Sequence, residues 1–176
     1  PDARVTVGES GTGGGFEKFC KGETDVSNAS RPIQDEEIEL CKDGGITYAE
    51  VHVANDGIAV VTNKNLEIAC LTTGQLKDLW NSKSTVKTYN QLDPKFPDTK
   101  VSLYGPGTDS GTFDFFTGEI NGEEGDTRKD YQPSEDDNVL VEGVSGDEGG
   151  LGYFGFSYYE ANADKLNLVA VDGGDG

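Results

Sequence analysis

Two glycine-bearing stretches carry most of the chemistry this sequence offers. Glu9-Ser10-Gly11-Thr12-Gly13-Gly14-Gly15-Phe16 and Gly107-Thr108-Asp109-Ser110-Gly111-Thr112-Phe113 each follow an extended pattern and open onto a helical one. Glycines let a ligand approach the backbone, the first helical turn offers N–H groups with no intrahelical partner, and Ser/Thr hydroxyls add donors. One such loop would be an ordinary helix cap. Two in a short chain point to one oxyanion shared between two lobes. Arg31 adds a planar fork suited to two oxyanion oxygens, and Pro32 biases it toward extended backbone. The competing expectation is that Arg31 simply pairs with a carboxylate. Asp25, Asp56 and Asp109 are the acceptors near these loops.

Other chemistries fail on spacing. Gly8 and Gly13 fit a Walker loop, but Gly14 occupies the lysine position, and Phe16 stands where a dinucleotide fingerprint needs its third glycine. A nucleophile elbow fails because Gly8-Glu9-Ser10-Gly11 is followed by Thr12. His52 is the sole imidazole and alternates within Val51-His52-Val53, as a structural histidine would. With three cysteines, one histidine and no CxxC, a zinc site is not expected, and no cofactor is implied.

Composition narrows the partners. The 176 residues carry a formal charge of −19, which repels nucleic-acid phosphates and anionic lipid. No apolar run approaches the ~18 residues of a membrane span. Hydrophobic residues make up 34%, but eight Phe and seven Tyr provide core material. Cys20 and Cys41 each end an apparent helix, so a disulfide closing that loop is expected, worth roughly 3 kcal/mol. Three reduced, buried thiols are the alternative. Cys70 is expected to be buried at a helix–strand junction.

The elements that must position these loops follow from periodicity. Residues 4–7, 24–29, 47–53, 57–62, 101–104, 149–154 and 166–171 read as strands, with Asn55-Asp56-Gly57 as a turn joining two of them. Helices are expected over 16–20, over 35–41 with Asp35 as N-cap, after Thr72 or Thr73 with Leu76, Leu79 and Trp80 on one face, over 112–116, and over 158–163. Residues 139–144 are helical or extended. Residues 119–137 read as an exposed excursion, the acidic runs 35–39 and 135–137 as solvated surface, and the tail 172–176 as flexible. Alternating strands and helices argue α/β with a largely parallel sheet.

As an ordered set, several motifs resemble the phosphate-binding proteins of bacterial phosphate ABC transporters. They are Gly11-Thr12-Gly13-Gly14-Gly15-Phe16, Thr24-Asp25-Val26-Ser27-Asn28-Ala29-Ser30-Arg31-Pro32-Ile33, Val53-Ala54-Asn55-Asp56-Gly57-Ile58-Ala59-Val60-Val61, residues 71–80, Asp109-Ser110-Gly111-Thr112-Phe113 and Gly150-Leu151-Gly152-Tyr153-Phe154. The resemblance implies an α/β, two-lobed type II periplasmic-binding-protein-like fold with mostly parallel sheets and hinge strands. Residues 1–58 would be part of lobe I, 59–170 lobe II, and 171–176 a tail or the start of a return to lobe I.

It further implies a periplasmic or extracellular, non-catalytic protein that holds inorganic phosphate in an interlobe cleft for an ABC permease. Gly11 and Thr12 would serve the first loop, Ser30 and Arg31 the first-lobe wall, and Ser110, Gly111 and Thr112 the second-lobe donors. Asp109 and Asp25 are candidates for the carboxylate that reads the phosphate proton. A phosphate-ester hydrolase or a phosphate-sensing module is the alternative. Relatives begin with a further strand and helix and continue past residue 171, so the chain is expected to be an internal fragment or to be completed by a second polypeptide.

Overall fold

The computed structural model describes residues 4–8 and 10–174. By its internal contacts the chain divides into two compact units, Pro1–Ala54 with Asp109–Gly111, and Asn55–Thr108 with Thr112–Gly176.

The first unit is built on two short helices, α1 (Thr12–Cys20) and α2 (Asp35–Asp43). α1 begins four residues before the expected Phe16, because glycines 13–15 are drawn into its first turn and the Gly15 N–H donates to the Gly11 carbonyl at 2.9 Å. Asp35 is the first helical residue of α2, and Gln34 is the N-cap. Asp35, Glu36 and Glu37 still face the positive end of the helix dipole. α2 closes at Gly45, whose φ of +69° lets its N–H reach the Lys42 carbonyl (3.0 Å) and the Ile46 N–H reach Cys41 (2.8 Å). The same pair of bonds ends α1 at Gly22 and Glu23. The expected disulfide joins Cys20 to Cys41 across a Cα separation of 4.2 Å and locks the helices together.

Three expected strands of this unit are absent among the described residues. Residues 4–7, 24–29 and 47–53 are extended or bent backbone without a ladder, and Val5, Val7, Val26, Val51 and Val53 remain exposed. β-branched composition suits a strand, but a strand exists only through hydrogen bonds to a neighbour. Asn55-Asp56-Gly57 therefore leads into a strand without closing a hairpin. Glu9, residues 175 and 176, and with them part of the tail expected to be flexible, lie outside the described residues.

The second unit contains β1 (Ile58–Asn63), β2 (Cys70–Thr72), α3 (Thr73–Trp80), β3 (Ser102–Pro106) and α4 (Gly111–Phe116, whose first residue groups with the first unit). β4 (Gln132–Ser134), α5 (Asp137–Gly146), β5 (Gly150–Gly155), α6 (Phe156–Ala161), β6 (Leu166–Leu168) and β7 (Ala170–Asp172) follow. Five strands form one sheet in the order β4-β3-β5-β1-β6, while β2 and β7 pair separately in parallel. β3 runs parallel to β4 and β5, and β1 opposes both β5 and β6, so four of the five strands share one direction.

Alternation along β1 divides the core between the two sheet faces. Val60, Leu151 and Tyr153 meet Leu76, Leu79 and Trp80 of α3 and Phe116 of α4, with Phe116 stacked on Tyr153 at 3.7 Å. Ala59, Val61 and Phe154 meet Leu140, Val141 and Val144 of α5, which settles residues 139–144 as helix. Each Val, Leu or Phe among them stabilises by roughly 1.5–3 kcal/mol on burial. Of the two expected caps of α3 it is Thr72 that serves: its Oγ1 accepts the Gln75 N–H at 3.1 Å while Gln75 Oε1 accepts the Thr72 N–H at 2.9 Å.

Three further expectations fail here. The stretch 119–137 is not merely exposed, since it buries Asn121 and Arg128 and supplies β4. Residues 166–171 do not form one strand: β6 pairs with β1 and β7 with β2, with the Val169 N–H on the Val60 carbonyl at 2.9 Å between them. Cys70 is exposed rather than buried, because β2 alternates and it is Leu71 that faces the core.

Candidate functional site

The N-terminus of α1 is left open by its own sequence. Gly11 is the N-cap and offers no side chain to bond the first-turn N–H groups, and that turn carries no acidic residue. The positive end of the helix therefore faces hydroxyls. Thr12, buried at 7% exposure, places Oγ1 3.1 Å from Ser30 Oγ and accepts the Ser30 N–H at 3.4 Å.

The second loop meets this pair. A methyl group added at Gly111 would overlap Ser30 Oγ and stand 2.6 Å from Thr12 Oγ1, and one added at Gly11 would overlap the Asp109 carbonyl oxygen. Only glycine permits so close an approach at these two positions. Thus Gly11, Thr12, Ser30, Asp109 and Gly111 are brought together within the first unit, with Ser110 on the same short segment. Thr112 follows it, partly buried, as the second residue of α4. Asp109 and Asp25 are both exposed.

Arg31 reaches the first turn of α1, its Nη2 lying 3.8 Å from where a Gly13 methyl would stand. Its fork is gripped by Glu37: Nη1 donates to Oε2 and Nη2 to Oε1, both at 2.9 Å, and Nη1 also donates to the Pro32 carbonyl at 3.2 Å. The guanidinium lies 5.6 Å from the centre of the Phe16 ring. The expected carboxylate pairing of Arg31 is therefore real, and it occurs beside the open helix end.

Glu37 corrects the reading of residues 35–39 as solvated surface. Asp35, Glu36 and Glu39 are exposed, whereas the Glu37 side chain is only 15% accessible. Burial pushes its carboxyl up, but the Arg31 fork, the Gln34 N–H and the Arg31 charge outweigh this and hold it below the ordinary carboxylate range. The signal was present as Gln34-x-x-Glu37, the spacing by which an N3 carboxylate reaches back to the N-cap N–H, here at 2.9 Å. Placing the cap at Asp35 shifts that register by one and hides it.

The second unit holds an open concavity of about 630 Å³ lined by Gly107, Thr108, Arg128, Tyr131, Ser134 and Glu135 among others. Arg128 is buried and committed to structure: Nη2 donates to Asp130 Oδ2 at 2.9 Å and Nη1 to the Leu79 and Val86 carbonyls at 3.1 Å. Its hydrogen bonds and charge hold Asp130 far below the usual carboxylate range. Among the described residues no group of three or more His, Cys, Asp and Glu is placed to hold a metal.

A family model described as PBP superfamily domain matches residues 1–176. The chain is similar to Protein SphX of Synechococcus elongatus, 51% identical over 174 residues, covering 98% of this chain and 51% of that protein. It is 45% identical over 171 residues to Phosphate-binding protein PstS of Staphylococcus saprophyticus, covering 97% and 52%. Of solved structures, a possible phosphate binding protein from Planctomyces limnophilus is similar at 44% identity and TM-score 0.71, over 94% of this chain and 58% of that one. A putative phosphate ABC transporter substrate-binding protein with bound phosphate from Clostridium perfringens is similar at 30% identity and TM-score 0.74, over 93% and 62%. The chain spans about half the length of the curated relatives it matches. The Staphylococcus relative and the two solved structures are named for binding phosphate or a transporter substrate. From its first residue to its last, the chain belongs to the PBP superfamily.

Proposed function

We propose that this chain is the anion-gripping part of an extracytoplasmic solute-binding protein that captures inorganic phosphate and passes it to an ABC permease. One observation carries the reading: the uncapped N-terminus of α1 is ringed by the Thr12 and Ser30 hydroxyls and by the Asp109–Gly111 loop. Helix N–H groups and hydroxyls suit a tetrahedral oxyanion without net positive charge, so a formal charge of −19 over the chain does not oppose the reading. Gly11, Thr12, Ser30, Ser110, Gly111 and Thr112 supply donors, Arg31 the cation, and Asp109 is the candidate acceptor for a phosphate proton.

The first unit corresponds to an incomplete lobe I and the second to lobe II. Relatives carry this stretch within chains about twice as long, so a separate second polypeptide completing lobe I gains no support. The Cys20–Cys41 disulfide fits an oxidising compartment, and no helix among the described residues is long and apolar enough to cross a membrane. Binding needs no nucleophile, and His52, the sole imidazole, is exposed.

Titration calorimetry of the natural-length protein with phosphate, arsenate and sulfate tests this. Phosphate heat without turnover of nitrophenyl phosphate is expected, with sulfate rejected because it brings no proton for an acceptor carboxylate at neutral pH. Absence of phosphate binding, or hydrolysis of the ester, would refute it.

A further inference from the structure

We infer that Glu37 is a positioning residue of this oxyanion site, acting through Arg31; the inference rests on the phosphate-binding reading above. Close contacts place the guanidinium. Glu37 holds both of its terminal nitrogens at 2.9 Å, the Pro32 carbonyl accepts from Nη1 at 3.2 Å, and the Phe16 ring lies beneath it at 5.6 Å. Glu37 is itself pinned by the Gln34 N–H at 2.9 Å, on a helix tied to α1 by the Cys20–Cys41 bridge. The two side chains are only 11% and 15% accessible.

The consequence is preorganisation. A lone arginine on so acidic a chain would sample many carboxylates, whereas this one is fixed in plane and position beside Gly13 before any anion arrives. The local pair is also neutral, so the arginine does not have to be desolvated as a bare charge at each binding event. Glu37 need not touch the anion to set its affinity.

The test is a double-mutant cycle read by phosphate calorimetry and thermal unfolding, using wild type, Glu37→Gln, Arg31→Gln and the double variant in the natural-length protein. Glu37→Gln is expected to weaken phosphate binding about tenfold when Arg31 is present and less than about twofold when it is Gln. Glu37→Asp keeps the charge at the start of α2 but is one methylene short of the Arg31 fork and the Gln34 N–H, so it should lower the unfolding temperature no more than Glu37→Gln does and still bind weakly. Equal losses in both Arg31 backgrounds, wild-type affinity in Glu37→Gln, or wild-type affinity in Glu37→Asp would each overturn the inference while leaving phosphate binding standing. Failure of the wild type to bind phosphate would overturn the functional reading and this inference with it.

Discussion

Replacing Gly111 by alanine tests the convergence at α1 most directly. The new methyl would overlap Ser30 Oγ and lie 2.6 Å from Thr12 Oγ1, where carbon and oxygen need about 3.3 Å. Ser30 is exposed and can rotate away, losing its hydrogen bond to Thr12 at a cost of about 1 kcal/mol. Thr12 has less freedom: it is buried and β-branched in the first turn of a helix, so a shift of about 0.7 Å forces an off-rotamer side chain at about 0.5–1.5 kcal/mol. The fold should therefore lose about 1.5–2.5 kcal/mol. Phosphate affinity should fall about 10- to 100-fold, since two hydroxyl donors to an anion are displaced together. Denaturant unfolding reads the first quantity and calorimetry the second. Gly146→Ala is the control, because a methyl there meets nothing within 4 Å; it should be neutral or slightly stabilising and leave affinity unchanged. Wild-type phosphate affinity in Gly111→Ala would show that the second loop does not join Thr12 and Ser30, and the site as described would fall.

Two other outcomes follow from particular contacts. Reducing the disulfide, or replacing Cys20 and Cys41 by alanine, should cost about 3 kcal/mol in denaturant unfolding and weaken phosphate binding, because the bridge fixes α2, and with it Glu37, against α1. Asp137 is raised by burial and by the nearby Asp136, Asp56 and Glu135 charges, against a bond from the Gly155 N–H. A folded value above the unfolded one subtracts stability at neutral pH and stops doing so below about pH 4. Asp137→Asn should therefore gain stability at pH 7, and the gain should vanish in acid; a gain independent of pH would refute the electrostatic cause.

Much of the second unit was legible in the chain. Leu76, Leu79 and Trp80 recur at helical spacing behind a Thr cap, and they form α3 and its buried face. The alternation of residues 57–62 becomes β1 with its two faces in two cores. The Cys20–Cys41 pairing followed from two helix ends separated by a short loop. The helix and the strand depend on neighbours a few residues apart, so local pattern suffices; the disulfide spans 21 residues but joins two ends that local pattern marks.

What sequence by itself determined was thus a set of parts: two hydroxyl-bearing glycine loops, the helices they open, two helix ends bearing cysteines, and a formal charge of −19. Tertiary structure alone decided which parts meet. Residues 47–53 and Ile58–Asn63 share a β-branched pattern, yet only the second acquires partners and becomes a strand, because a ladder is a bond to another segment rather than a property of one. In the same way, a composition with 33 acidic residues could not say which of them Arg31 would grip, since Coulomb attraction is blind to sequence order and follows distance in the folded chain. The register of α2 put Glu37 there and left Asp35, Glu36 and Glu39 to solvent.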